Sequence, residues 1–191
     1  MTLAANALIT LAEAKDYIFG EQDSSVPDPI VEMLINSVST RFESRCRREF
    51  KSATDATLYL DGNGEKELSL PRSPVTSIAS VTEDDTVLTE GDDEDYRLYT
   101  SDNDAYLYRL GTTWLKGAKK ILLTTFLAGF VTVPADLKLA CMEQTAFEYQ
   151  KHQKREWGET SRSFEGGSVS LTSDGLLQSV EDVLQHYEYM K

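Results

Sequence analysis

The run of residues 120–149 constrains this chain more than any other. It reads Ile121-Leu-Leu-Thr-Thr-Phe126-Leu-Ala-Gly129-Phe-Val-Thr-Val-Pro134-Ala-Asp136-Leu-Lys-Leu-Ala-Cys141-Met142 and then turns polar. Its first half is apolar and rich in β-branched and aromatic residues, the composition of a buried strand. Gly129 marks where that strand bends or ends. Pro134 suits a first helical position, because its φ is already helical and its missing N–H is not needed there. Asp136 then falls in the first turn, where a negative charge meets the positive end of the helix dipole. Leu137, Ala140, Cys141 and Gln144 follow one helical face. Leu139, Met142, Ala146 and Tyr149 follow the adjacent one. Both faces are apolar at first, so the first half of this helix is expected to be enclosed. The run holds no nucleophile, base or ligand set, and reads as scaffold.

What surrounds this scaffold is bounded by composition. The 191 residues are 40% hydrophobic, enough to bury a core and too much for a disordered chain. Thirty-two acidic residues against nineteen basic ones give a net charge of −13. That excludes tight unassisted binding to nucleic-acid phosphates or anionic membranes. The two cysteines, Cys46 and Cys141, lie in expected helices and read as reduced, buried thiols. Residues 1–20 lack the basic start of a secretory signal and carry Glu13 and Asp16. The uncharged run over residues 121–135 is shorter than the ~20 residues a membrane helix needs. Synthesis in the cytoplasm is therefore expected, with no membrane partner.

Taken in order, the chain opens with Thr10-Leu-Ala-Glu13, the spacing of a capping box, which predicts a helix over 10–19 stopping at Gly20. A second helix is expected over 29–50, with Asp28 as its cap and Pro29 at its start. Ile30, Leu34, Val38, Phe42, Cys46 and Phe50 form its stripe, flanked by Val31 and Ile35. Arg41, Arg45, Arg47 and Arg48 gather near its C-terminal end, where cations suit the dipole. Residues 55–126 read as strands. Asp61-Gly-Asn-Gly64 predicts a hairpin joining strands at 57–60 and 67–70. Pro71 and Pro74 interrupt the ladder, and a third strand is expected over 77–82. A second hairpin is expected from 96–99 and 105–109 around Asp102-Asn-Asp104, with 121–126 closing the sheet. Strands that follow one another without helices imply an antiparallel or mixed sheet. A helix is expected over 134–157. Residues 158–175 are rich in Gly, Ser and Thr and read as a flexible arm. A last amphipathic helix starting near Ser173 or Asp174 carries Leu176, Val180, Val183, Leu184 and Tyr187 on one face. The expected fold class is thus α+β. A helical core of two long helices and shorter terminal ones carries an inserted β-rich portion, in one domain over 1–157, followed by the arm and helix of 158–191.

Tests for chemistry give little. The acidic stretches Glu83-Asp-Asp85 and Asp92-Asp-Glu-Asp95 lack the alternating oxygens, glycine and closing glutamate of a calcium loop, and read as solvated loops. Facing carboxylates for a glycosidase need a cleft that sequence does not show. His152 and His186, the only histidines, sit in no metal or base motif. No Gly-x-Ser-x-Gly elbow is present, and Gly166-Gly167 lacks the lysine of a phosphate loop. Trp114 and Trp157 fit core or interface anchors. No catalytic, cofactor-binding or metal residues are therefore assigned.

The order of parts resembles a known family. Leu8-Ile-Thr-Leu-Ala-Glu-Ala-Lys-Asp-Tyr-Ile18 precedes Ile35-Asn-Ser-Val-Ser and a helix end Arg45-Cys-Arg-Arg-Glu-Phe50. Tyr59-Leu-Asp-Gly-Asn-Gly64, Leu70-Pro-Arg-Ser-Pro-Val-Thr-Ser-Ile78, Phe126-Leu-Ala-Gly-Phe130 and Val133-Pro-Ala-Asp-Leu-Lys138 follow. Over residues 8–150 this series resembles the head–tail connector (adaptor) proteins of tailed bacteriophages. The resemblance implies a structural virion protein without enzymatic activity or cofactor. It implies a homo-oligomeric ring in the neck, between portal and tail or head-completion proteins, around a channel that DNA passes without being gripped. Assembly would take place in the host cytoplasm. On this reading Leu176, Val180, Val183, Leu184 and Tyr187 bind a partner. Two other readings stay open: a small acidic hydrolase acting on a sugar polymer, which needs a deep cleft, and a free-standing protein-interaction module.

Overall fold

The local signals near the N-terminus form as their spacing requires in a computed structural model of the chain, which describes residues 2–20, 27–154, 161–164, 167–170 and 175–188. Helix α1 spans Leu11–Phe19. Thr10 Oγ1 accepts the Glu13 N–H at 3.2 Å, and a Glu13 oxygen accepts the Thr10 N–H at 2.7 Å, completing the box. Gly20, at φ +63°, ends the helix by donating to the Asp16 carbonyl. Helix α2 spans Asp28–Cys46. It is shorter than the expected 29–50, because Arg47 adopts a left-handed conformation and closes it. Arg48 N then donates to the Glu43 carbonyl, so Phe50 is buried from beyond the helix. The interior stripe is Val31, Ile35, Val38, Phe42 and Cys46 rather than one starting at Ile30 and Leu34. A strict four-residue repeat drifts off a face that turns every 3.6 residues.

The chain then enters its strands. β1 (Ala53–Gly62), β2 (Glu67–Ser69), β3 (Val75–Ser77), β4 (Ser80–Glu83), β5 (Thr86–Leu88), β6 (Tyr96–Thr100), β7 (Ala105–Arg109) and β8 (Gly117–Ala128) follow one another. Helix α3 spans Ala135–Lys154. Two short strands, β9 (Ser161–Phe164) and β10 (Gly167–Ser170), pair with each other, and α4 spans Gln178–Gln185. The class is α+β; among the described residues there are four helices, of 9, 19, 20 and 8 residues, and every strand pairing within the sheets is antiparallel.

Two units divide the chain: Met1–Phe50 with Thr132–Glu188, and Lys51–Val131. The helical unit thus extends past residue 157, where the sequence suggested a boundary. Trp157 and half of the expected arm lie outside the described residues. Leu137, Ala140, Cys141 and Gln144 are buried on α3 as expected, whereas Leu139 is 45% exposed. In the second apolar row Met142 and Ala146 are half-buried and only Tyr149 is buried, so the first half of the helix is not enclosed on both faces.

In the sheet unit, β8 is a centre rather than a closing edge. It pairs with β1 on one side and with β3 and β4 on the other, and β5 extends the sheet beyond β4. Ile121 and Leu123 point inward; Thr125 takes a positive φ of +48°, after which Phe126 and Ala128 are the buried pair. This shift carries one strand's apolar side through a bend without losing the core. The hairpin expected from Asp61-Gly-Asn-Gly64 does not form. β1 pairs with β8, while β2 joins β7 and β6 in a separate three-stranded sheet. The turn residues still act locally: Asn63 accepts the Glu65 N–H at 2.9 Å and donates to the Glu67 carbonyl at 2.7 Å. A Cβ at Gly62 would lie 1.6 Å from the Leu115 carbonyl oxygen, so the end of β1 packs closely against the segment that leads into β8. The β6–β7 hairpin forms as expected, from Tyr96↔Arg109 to Thr100↔Ala105.

Gly129 ends β8 at φ +103°, and a Cβ there would lie 2.5 Å from the Lys51 carbonyl oxygen. Gly129→Ala is expected to cost more than about 2 kcal/mol in thermal or urea unfolding, from backbone strain plus this collision. Gly20→Ala, at φ +63° with nothing within 4 Å, supplies the comparison at about 1 kcal/mol. Equal losses at the two positions would refute the close approach.

Candidate functional site

The C-terminal helix carries the residues expected to face a partner, and the chain's own helices hold it at each end. Gln144, buried on α3, donates from Nε2 to the Gly175 carbonyl at 3.2 Å and accepts the Leu177 N–H on Oε1 at 3.0 Å. One side-chain amide thereby satisfies two backbone groups just ahead of α4. At the other end, the Tyr187 hydroxyl donates to Asp136 at 2.7 Å, and its ring meets Phe50 edge-on at 6.0 Å. Between them, Leu176, Val180 and Leu184 are fully buried, Tyr187 is nearly so and Val183 is half-exposed. The Cys46 thiol lies beneath and donates to the Leu184 carbonyl at 3.5 Å.

This places four of the five residues expected to bind a partner inside the subunit's own helical core, with Val183 at its edge. An amphipathic stripe states that a face is covered, not which chain covers it. As docked, α4 fills its place against α2 and α3, and a partner reaches that face only if the helix lifts away.

The arginines of α2 are spent on the same seating. Arg45 Nε donates to Glu181 at 2.9 Å, and its Nη1 lies 3.2 Å from Glu188. The hydrogen bond to Glu181 raises the pKa of the guanidinium further and keeps it charged. Arg41 pairs with Glu148 on α3 at 2.9 Å, and Arg48 is buried with its guanidinium 5.5 Å from the centre of the Phe50 ring. Two of the four, Arg41 and Arg45, therefore hold helices together, Arg48 is buried just past the end of α2, and Arg47 stays exposed. A basic DNA-gripping patch does not assemble from them.

The sheet unit contains a second buried ionic group. Glu83, expected in a solvated loop, is 7% exposed and ends β4 with its side chain turned inward. One of its oxygens accepts the Leu115 N–H at 2.7 Å; the other lies 3.3 Å from Arg109 Nη2. Arg109 also donates to the Asp95 carbonyl at 2.6 Å and stacks 5.6 Å from the Trp114 ring. Trp114 in turn donates to the Leu107 carbonyl at 3.2 Å. The group fixes the loop between β7 and β8. Strand parity marks it in the sequence: Glu83 lies two residues from buried Val81, and Arg109 two from buried Leu107. Asp84 and Asp85 take positive φ at the tight turn into β5 and are exposed. On the outward face of the β6–β7 hairpin, Tyr99 stacks on Tyr106 with ring centres 5.0 Å apart.

Few of these groups are fit for catalysis. Cys46 and Cys141 are free and buried, and burial pushes both thiols up to about 12, where the thiolate is scarce near neutral pH. His152 and His186 are both exposed. Among the described residues, no three His, Cys, Asp or Glu side chains converge as metal ligands, and no helix is long and apolar enough to cross a membrane.

A model of the head completion protein family matches residues 7–190. Among solved structures, the chain is similar to one in the virion of the native gene transfer agent particle, at 16% identity and TM-score 0.64, over 100% of this chain and 94% of that one. It is similar to one in the neck of the empty particle, computed with C6 symmetry, at 17% identity, TM-score 0.64 and the same coverage. A third lies in the neck of the native particle, computed with C12 symmetry, at 16% identity and TM-score 0.60, again with the same coverage. These likenesses show a shared fold. A search of curated proteins gives no match.

Two outcomes test the seating of the helices. Leu184→Ala is expected to cost about 2–5 kcal/mol in unfolding, the range for truncating an enclosed leucine; a loss below 1 kcal/mol would mean that α4 does not belong to the core. The second concerns Glu13. Its hydrogen bonds, first to Lys138 at 2.6 Å and then to the Thr10 backbone, hold its carboxyl below the ordinary 4.5. Its contribution is complete above pH 4.5 and is lost as pH falls through the folded value. Glu13→Gln should therefore melt lower than the parent at pH 7, with the gap closing in acid. A gap that is the same at pH 7 and pH 3 would contradict this.

Proposed function

The chain belongs to the head completion protein family of structural head–tail connectors, and on that premise we propose that it forms a homo-oligomeric ring in the neck of a tailed particle. The ring stands between the portal and the tail or head-completion proteins, and DNA passes through it. The single observation carrying this reading is the family match over residues 7–190, with a fold likeness covering 100% of the chain. Neck structures computed with C6 and C12 symmetry support a ring arrangement. The subunit is assembled in the host cytoplasm and acts without catalysis.

The chemistry of the chain suits that role. With a net charge of −13 and its α2 arginines largely committed to internal pairs, it repels the phosphate backbone more than it attracts it. DNA moving through such a ring meets little to grip it. Partner binding through Leu176, Val180, Val183, Leu184 and Tyr187 would require α4 to leave α2 and α3, so we assign the docked helix to subunit stability. Portal and completion proteins then contact other surfaces.

Rings are expected at high protein concentration or with portal protein present, seen by electron microscopy and as a discrete mass in light scattering. Monomer alone under both conditions would overturn the proposal.

A further inference from the structure

Among the described residues, two features of the backbone are left without a further strand. The first is the β9–β10 hairpin. Its strands, four residues each, pair with each other in a sheet separate from the five- and three-stranded ones. An isolated two-stranded hairpin is marginal in water; a third strand or a covering layer makes it stable. The second is the outer edge of β1. This ten-residue strand pairs on one side only, with β8.

Length and charge single out that edge among those available. β2 and β5 are edges of three residues each. β6 has five, and its outer side is already engaged, with the Tyr96 carbonyl accepting Gly91 N–H and Thr100 Oγ1 accepting Val75 N–H. On β1, charges that discourage pairing stand only at Asp55 and Asp61. The window between them, residues 56–60, is uncharged and spans ~16 Å at ~3.3 Å per residue. One four-residue strand, ~13 Å long, fits it. Leu58 and Leu60 pack on the core, leaving Thr57 and Tyr59 outward, the latter 54% exposed.

We propose that in the assembled ring the β9–β10 hairpin of one copy of this chain adds to the free edge of β1, at residues 56–60, of the neighbouring copy. The contact is heterologous, joining two different surfaces of the same chain, which is the kind of contact a closed ring requires. Unpaired amides and carbonyls on both sides supply its hydrogen bonds, as in strand addition generally. The inference rests on the ring reading, but a ring can also exist without it, and the test separates the two.

Full-length chains carrying Thr57→Cys are mixed with tagged chains carrying Ser163→Cys or Ser168→Cys, concentrated until electron micrographs show rings, and oxidised. Cys46 and Cys141 are buried and stay out of the reaction. A disulfide-linked dimer holding one tagged and one untagged chain is expected in at least one pairing, and none when Thr100→Cys on β6 replaces Thr57→Cys. Rings without the mixed dimer overturn this inference and leave the ring reading standing. Neither rings nor dimer overturns both. A mixed dimer without rings upholds the strand addition and removes the ring. Independently, replacing residues 161–170 by glycine and serine should raise the concentration needed for rings at least tenfold without moving the melting temperature. Rings formed at the parent's concentration would refute the role of the hairpin.

Discussion

The structure depends on one strand being paired on both sides. β8 holds β1 on one edge and β3 and β4 on the other, so three separate stretches of sequence are registered against a single template. That template is long and apolar, and every backbone group it buries needs a partner. Its bend at Thr125 lets Ile121 and Leu123 share a core with Phe126 and Ala128. Gly129 then brings the chain back against Lys51 so closely that no side chain fits. The sheet unit thus begins and ends at the same place, which lets an all-strand segment be inserted between helices of the other unit.

Charge is handled locally. Arg41, Arg45, Arg72 and Arg109 each meet a carboxylate, on Glu148, Glu181, Asp55 and Glu83 respectively. Removing one partner of an enclosed pair strands the other, so such pairs fix geometry more than they add stability. What remains outside is predominantly acidic, which suits a surface past which a polyanion travels.

How much of this was legible follows from how local each signal is. The capping box at Thr10 and Glu13, the buried row on α3 and the β6–β7 hairpin rest on residues a few positions apart, and all three form as read. The stop of α2 at Arg47 went unread because a left-handed arginine carries no mark in the sequence. Asp61-Gly-Asn-Gly64 makes a true turn without the expected pairing, since the partner of β1 lies some sixty residues downstream and β2 pairs with β7 instead. Glu83 was hidden by its acidic neighbours, although strand parity marked it. The stripe on α4 is expected from sequence to face a partner, whereas in the structure the chain's own Cys46 and Phe50 lie against it. Periodicity does not distinguish a fold from an assembly.

The two cysteines have a consequence for how such a particle is built. Both thiols are enclosed, one on α2 and one on α3, and no others exist in the chain. No subunit can be tied covalently to its neighbour by oxidation while folded. No joint between folded subunits of such a ring is a disulfide, so no sulfur bond traps a subunit seated out of register. Without such bonds, a closed circle would owe its permanence to many weak joints that must open together.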